Sequence, residues 1–270
     1  MAEPAVRIAR GGGVGEIVLA RADRRNALDY AAVLELVAAL DELENDDAVG
    51  AVLIYGEGQS FCAGGDLAEF QRGLTTPAYD FHRGGAGWAD LMLAIPRMHT
   101  PVVVAPHGHA LAGGCGIVAA ADVAVAAEGT VFATSEVRIG LFPIIVYPTL
   151  VKAIGSRAAR EMALTGRRVS ADDAHRIGLV HRVVPAAEHL DVARATAAEL
   201  AEFGAHALAL GKWFINAVDG LSLEQSTAFA QSIRGSFMTT PDFAEGLAAF
   251  AEKRPPRFRG LTGEDAASSD

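Results

Sequence analysis

The segment Ala110–Ile117 (Ala-Leu-Ala-Gly-Gly-Cys-Gly-Ile) constrains this chain more than any other, because its glycines sit between a β-branched run and a helix of small residues. Without a Cβ, Gly113 and Gly114 allow a ligand to approach the main chain closely. The preceding 101–105 run (Pro-Val-Val-Val-Ala) reads as a buried strand, and 114–121 reads as a helix packed through small side chains. A helix that starts on such a turn points unpaired N–H groups and a partial positive charge outward. Residues 60–67 (Ser-Phe-Cys-Ala-Gly-Gly-Asp-Leu) repeat the plan: the strand 51–55 precedes them and a helix is expected near Leu67. Two bare-backbone turns, each able to hold an oxyanion, therefore have to be built by one fold.

The rest of the chain supplies a suitable scaffold. Val14 to Ala20 reads as the first strand, and Asp29 caps a helix whose apolar face is Val33, Leu36, Val37, Leu40 and Leu43. Strands at 51–55, 102–105 and 123–126 alternate with helical patterns, which implies an α/β layer structure with largely parallel strands. Gly11-Gly12-Gly13-Val14-Gly15 lies before that first strand and lacks the last glycine of a dinucleotide fingerprint, so it reads as a loop. From Ser156 onward helix follows helix: Ser170 opens a Ser-x-x-Asp cap, and 192–203, 205–218, 223–237 and 242–253 are helical. We divide the chain into a core at 1–200, a helical region at 201–260 and a small, acidic tail at 261–270 expected to be disordered.

Charge and cysteine content exclude several functions. A formal net charge of −10 argues against sequence-independent nucleic-acid binding, although a few arginines can still hold an anionic ligand locally. Cys62 and Cys115 lie inside the glycine turns, show no metal-ligand spacing and read as reduced packing residues. Ile117 stands where a nucleophile elbow needs its last glycine, which argues against Cys115 as a catalytic thiol. No N-terminal basic-apolar pattern or membrane-length apolar run is present, so a cytoplasmic protein without membrane association is expected.

In order and spacing, residues 21–28 (Arg-Ala-Asp-Arg-Arg-Asn-Ala-Leu), 61–67, 108–115, 135–141 (Ser-Glu-Val-Arg-Ile-Gly-Leu), 164–166, 174–180 and 245–254 resemble the enoyl-CoA hydratase/isomerase (crotonase) family. The resemblance runs from about Val6 to Arg259. It implies a spiral core of ββα repeats with a C-terminal helical region that assembles trimers, often as hexamers. It also implies an acyl-CoA thioester substrate, with CoA entering as part of that substrate and no metal or redox cofactor.

Residue by residue, the resemblance assigns the oxyanion donors to the N–H groups of Gly65 and Gly113 and the proton-carrying carboxylate to Glu136. By composition alone, Glu136 reads as a surface carboxylate, yet its apolar neighbours could raise its pKa toward proton transfer. Arg24, Arg25, Phe258 and Arg259 are candidate contacts to CoA phosphates and adenine, or ordinary surface. Ala63, Asp66 and Leu67 are further substrate-side positions, Asp66 as a turn-stabiliser rather than a proton carrier. His107 and His109 could orient water or a substrate carboxylate, or be satisfied structural histidines. Arg138 and Tyr147 are polar acyl-pocket groups, or a surface arginine and a packed tyrosine. Residues 71–88 resemble a mobile loop and helix over the acyl pocket, or form an ordinary connection.

One position departs from the two-glutamate hydratases: their first catalytic glutamate falls at Gly116, which carries no proton. The run Ser135–Pro143 with Tyr147-Pro148 resembles members assigned to branched glutaconyl-CoA hydration, which also show glycine there. The sequence thus points first to an enoyl-CoA hydratase using one glutamate. A Δ3,Δ2-enoyl-CoA isomerase and a noncatalytic acyl-CoA-binding protein are the alternatives.

Overall fold

The computed structural model describes residues 4–75 and 78–258, the side chains of 78–86 excepted. Its centre is a six-stranded sheet in the order β1 (Val6–Gly11), β2 (Val14–Leu19), β3 (Ala51–Gly56), β4 (Val102–Ala105), β6 (Val123–Ala127) and β9 (Arg182–Val184). All neighbours run parallel except β1, which pairs antiparallel with β2. A second sheet joins β5 (His109–Leu111), β7 (Val131–Ala133) and β8 (Val169–Ser170).

The central strands are buried on both faces, and their two-residue period divides the core. Val52, Ile54, Val102 and Val104 face the large cluster formed with the helices α1 (Tyr30–Glu44), α3 (Ala78–Arg97), α4 (Gly113–Ala120) and α5 (Val146–Thr165). Ala51, Leu53, Val103 and Ala105 face the opposite way, where α7 (His189–Ala201) contributes Ala193 and Ala197. Asp29 caps α1, its side chain accepting from the Ala32 N–H at 3.0 Å, and Val33, Leu36, Leu40 and Leu43 are buried as expected. The remaining helices are α2 (Leu67–Gly73), α6 (Ala171–Arg176), α8 (Ala205–Val218), α9 (Leu223–Met238) and α10 (Pro241–Glu252). Ser170 caps α6 through the Asp173 N–H at 3.1 Å. Among the described residues no helix is long and apolar enough to cross a membrane.

The structure corrects the reading at both ends of the chain. The first strand is β1, not the one at Val14, and Gly12-Gly13 form the two-residue turn of a hairpin, with φ of 58° and 77°. The alternation of Val6 and Ile8 with arginines followed by a glycine pair carried that signal. The stretch after Ser156 is not purely helical: β8 and β9 interrupt it, each too short for a periodic pattern. α5 begins ahead of Ser156, at Val146, and breaks at Gly155, where φ is 75°. Residues 259–270, which hold Arg259 and the expected tail, lie outside the described residues.

Candidate active site

The first glycine turn grows from the C-terminal end of β3. Phe61 and Cys62 donate to the carbonyls of His107 and His109 at 2.9 and 3.0 Å, and Leu111 donates back to Cys62 at 2.9 Å. On its other side the turn pairs with the segment before α1: Leu28 N–H bonds Gly64 O at 2.8 Å, and Asp66 N–H bonds Leu28 O at 3.0 Å. Gly65 is the bridging residue between these two bonds, so its own N–H faces away from Leu28. Asp66 then starts α2, one oxygen accepting from Ala68 N–H at 2.8 Å and the other from Arg24 at 3.2 Å. Phe70, on the first turn of that helix, lies against Gly65; a methyl group there would come within 2.7 Å of the ring.

Sequence reasoning missed one organiser of this turn. Asn26 is buried and left-handed, with φ of 55°. Its side-chain amide donates to the carbonyls of Glu57 and Ser60 at 2.9 and 2.7 Å, tying the arginine loop to the end of β3. An asparagine between Arg25 and Ala27, a residue type that tolerates the left-handed region, was the available signal.

The second turn follows β5. Ala112 adopts φ 50° and ψ −119°, a region normally left to glycine. It is held there because its N–H bonds Ala133 O at 2.8 Å and its carbonyl accepts Gly116 N–H at 3.1 Å. Gly113 is therefore the first residue of α4, and its N–H has no helical partner. The two turns touch: a side chain on Gly64, where φ is 89°, would lie 2.6 Å from Ala112 Cβ and 3.2 Å from Gly113 N. Among the described residues, neither Gly65 nor Gly113 donates its N–H to a backbone acceptor outside regular elements.

Glu136 begins a 3-10 turn, Glu136–Ile139, after β7. Its Oε2 is buried without a hydrogen-bond partner, and burial raises its carboxyl above the ordinary range. Burial pushes the Cys115 thiol up to about 12, and the charge of Glu136 adds to that shift. Cys62 is likewise pushed to about 12 by burial. Both sulfurs stay protonated near neutral pH, as the packing role requires.

Gly116 is buried. A Cβ there would meet Met92 Sδ at 2.8 Å and the Val146 methyls at 3.1 and 3.2 Å. Trp88 from α3 covers Gly113 so closely that a methyl group would overlap its indole. α3 and α5 thus wall α4 with apolar side chains where a second carboxylate would have to sit.

Other predicted residues divide between this site and elsewhere. His109 Nδ1 contacts Ser60 Oγ at 3.3 Å, beside the first turn. His107 faces away, its Nε2 3.1 Å from Gly58 O and its ring 5.3 Å from that of His189 on α7. Burial lowers the His107 pKa. Arg138 donates from Nε to Gly166 O at 3.0 Å, capping the end of α5. Tyr147 is half-buried, its ring 6.0 Å from that of Phe142. Arg24 and Arg25 are exposed at the rim of the first turn, where Arg25 O accepts Ala63 N–H at 3.0 Å. Leu67 is exposed at the start of α2, and Ala63 is half-buried. Phe258 is not brought to this site: with Glu44, Val49, Pro101 and Phe203 it lines a cavity of about 740 Å³ at the opposite end of the parallel strands. Of the segment 71–88, residues 76–77 and the side chains of 78–86 lie outside the described residues.

Comparison with known proteins places these features. The sequence model of the Enoyl-CoA hydratase/isomerase family matches residues 9–261. A Thermus thermophilus protein assigned as an enoyl-CoA hydratase is 38% identical over 247 residues, which cover 92% of this chain and 98% of that protein. The crystal structure of an enoyl-CoA hydratase from Mycobacterium smegmatis superposes with a TM-score of 0.89 at 36% identity, covering 95% of this chain and 99% of the other. One from Polaromonas sp. JS666 gives a TM-score of 0.89 at 30% identity, covering 94% and 99%. These neighbours share the crotonase fold. Because the match takes in both glycine turns and Glu136, and the relatives align over nine-tenths of its length, this chain belongs to the enoyl-CoA hydratase/isomerase family.

Proposed function

We propose that the protein hydrates an enoyl-CoA thioester, with the N–H groups of Gly65 and Gly113 binding the thioester oxygen and Glu136 as the only carboxylate that moves protons. One observation carries this reading: among the described residues, two glycines on abutting turns donate to no backbone acceptor outside regular elements, and a half-buried Glu136, whose Oε2 is buried without a hydrogen-bond partner, acts by its charge on Cys115 of α4. Each oxyanion donor contributes about 3 kcal/mol in the transition state. Glu136 takes a proton from a water molecule while the oxygen of that water bonds to the β carbon. The alkene electron pair moves to make an enolate on the thioester oxygen, and the same carboxyl returns the proton to the α carbon. The step draws on no metal or redox group. Arg24 and Arg25, exposed beside the first turn, are assigned to the CoA phosphates.

A second reading has its own support. The apolar cover over Gly116 leaves one proton carrier, which suffices to move a proton from the α to the γ carbon of a 3-enoyl-CoA through a dienolate, with no water involved. The two are separated by mass spectrometry of crotonyl-CoA, a branched or carboxylated 2-enoyl-CoA and a 3-enoyl-CoA in heavy water. Hydration adds the mass of one water to a 2-enoyl substrate, whereas isomerisation leaves the formula unchanged apart from exchanged deuterium. We expect crotonyl-CoA to turn over more slowly than the best alternative. Crotonyl-CoA hydration faster than every alternative overturns that expectation and means that Glu136 suffices or that another group replaces the absent acid, and binding without any turnover identifies a noncatalytic acyl-CoA-binding protein. Ile215, Leu223 and Phe250 on α8–α10 are 63%, 83% and 85% exposed in the single chain, which supports assembly into a homotrimer or hexamer through this region.

A further inference from the structure

The buried lysine of α8 serves neither glycine turn, yet all its donors are used. Lys212 Nζ donates to Ile95 O at 3.3 Å, Thr100 O at 3.0 Å and Asp122 Oδ2 at 2.6 Å, and the residue is 8% exposed. One turn further along α8, Asn216 donates to Pro96 O at 2.7 Å and accepts from Lys152 Nζ at 2.9 Å. These partners are not scattered. Ile95 and Pro96 close the last turn of α3, and Asp122 follows the end of α4 and holds Val102 N–H at 2.7 Å. Lys152 lies on α5.

The last carbonyls of a helix have no partner within it. In α3 they are met in sequence: Ala94 O by Met98 N–H, Ile95 O by Lys212 and Pro96 O by Asn216. α3 carries Trp88 against Gly113 and Met92 against Gly116, and α5 brings Val146 to the same glycine. Trp88 lies two turns upstream of Ile95, about 10 Å along the axis. A single edge of α8 therefore gathers α3, α4 and α5, the three helices that wall the oxyanion turn.

We infer that Lys212 and Asn216 are positioning residues, which set the placement of Trp88 and Met92 over α4 and couple the C-terminal helices to turnover. The effect on rate rests on the acyl-CoA reading above; the effect on Trp88 does not. Trp88 and Trp213 are the only tryptophans, so a Trp213→Phe background makes the emission a report on Trp88 alone. In that background Lys212→Met and, as the milder change, Asn216→Ala should shift the Trp88 emission. Well below their melting temperatures they should lower kcat about ten- to hundredfold with a smaller change in KM, as small misplacements do. Lys212→Arg should recover part of both signals. If Lys212→Met does not fold, Asn216→Ala alone decides. Unchanged emission, or a lowered Tm with kcat per folded molecule within about twofold, overturns the inference. An emission shift in a protein whose parent turns over no enoyl-CoA upholds the clasp and faults the reaction assignment.

Discussion

The two glycine turns present the same chemical group, a glycine N–H that bonds no backbone acceptor outside regular elements among the described residues, yet they are held by opposite means. The first is fixed from outside by polar side chains: Asp66 caps α2, Arg24 bonds that cap, and Asn26 ties two carbonyls below it. It leads into a short helix with no buried residue. The second is fixed from inside: Gly113 to Val118 are all buried, Ala112 is held at a glycine-like φ and ψ, and Trp88, Met92 and Val146 press on the glycines. A turn whose glycines are pressed by apolar side chains has less slack than one held chiefly by side-chain hydrogen bonds. Substitutions at the second turn should therefore cost far more than those at the first.

The largest effect is expected at Glu136, the carboxylate proposed to move the proton. Glu136→Gln keeps the volume and removes the titratable proton, and kcat should fall about 10²–10⁴-fold. Wild-type kcat in this variant would remove Glu136 from the chemistry. Because burial raises the Glu136 pKa, kcat/KM of the wild type should fall on the acid side at a pH above the ordinary carboxylate value of about 4.3. The sign for stability is fixed by the same shift. The folded state favours the protonated acid, so stability is fully present below the unfolded pKa and declines as pH rises through the folded value. Glu136→Gln should therefore melt higher than the wild type at neutral pH, by about 2–4 °C for each kcal/mol of unfolding free energy relieved, and alike in acid. A lower Tm at neutral pH would show that the ionised carboxylate has a stabilising partner.

Next come the glycines themselves, compared directly. Gly113→Ala keeps the N–H but drives a methyl into the Trp88 indole, so the start of α4 has to move; we expect a loss of about a hundredfold in kcat. Gly65→Ala meets only the far edge of Phe70, a side chain that can swing away, and should cost about tenfold. The reverse order would mean that packing does not make the second turn the stiffer one. The smallest effect is expected at the outer cap. Asp66→Ala removes the bonds to Ala68 and Arg24 and should lower stability by about 1 kcal/mol, with a rise in KM larger than the fall in kcat. A collapse of kcat equal to that of Gly113→Ala would erase the distinction between the turns.

Much of this was open to a reader of the sequence. The strands 51–56 and 102–105 are runs buried on both faces, so composition marks them without help from the rest of the chain. The caps at Asp29 and Ser170 act over three residues and were legible for the same reason. β1, β5, β7, β8 and β9 were not read: β1 is largely exposed, and the other four are short and gain their pairing from segments distant in the chain.

At the site, the glycine spacing and Glu136 could be named, because a bare backbone and an isolated acid leave a signature in residue type. The sequence also determined that position 116 holds no carboxylate. What it could not contain is the company these residues keep. That Ala112 rather than a glycine takes the strained angles depends on Ala133 from β7, and that Gly116 is sealed depends on Met92 from α3 and Val146 from α5. The direction of the Glu136 pKa depends on how deeply its neighbours bury it. Local preference is written in adjacent residues, whereas desolvation and packing are properties of surfaces brought together across the chain, and only the tertiary structure decided those.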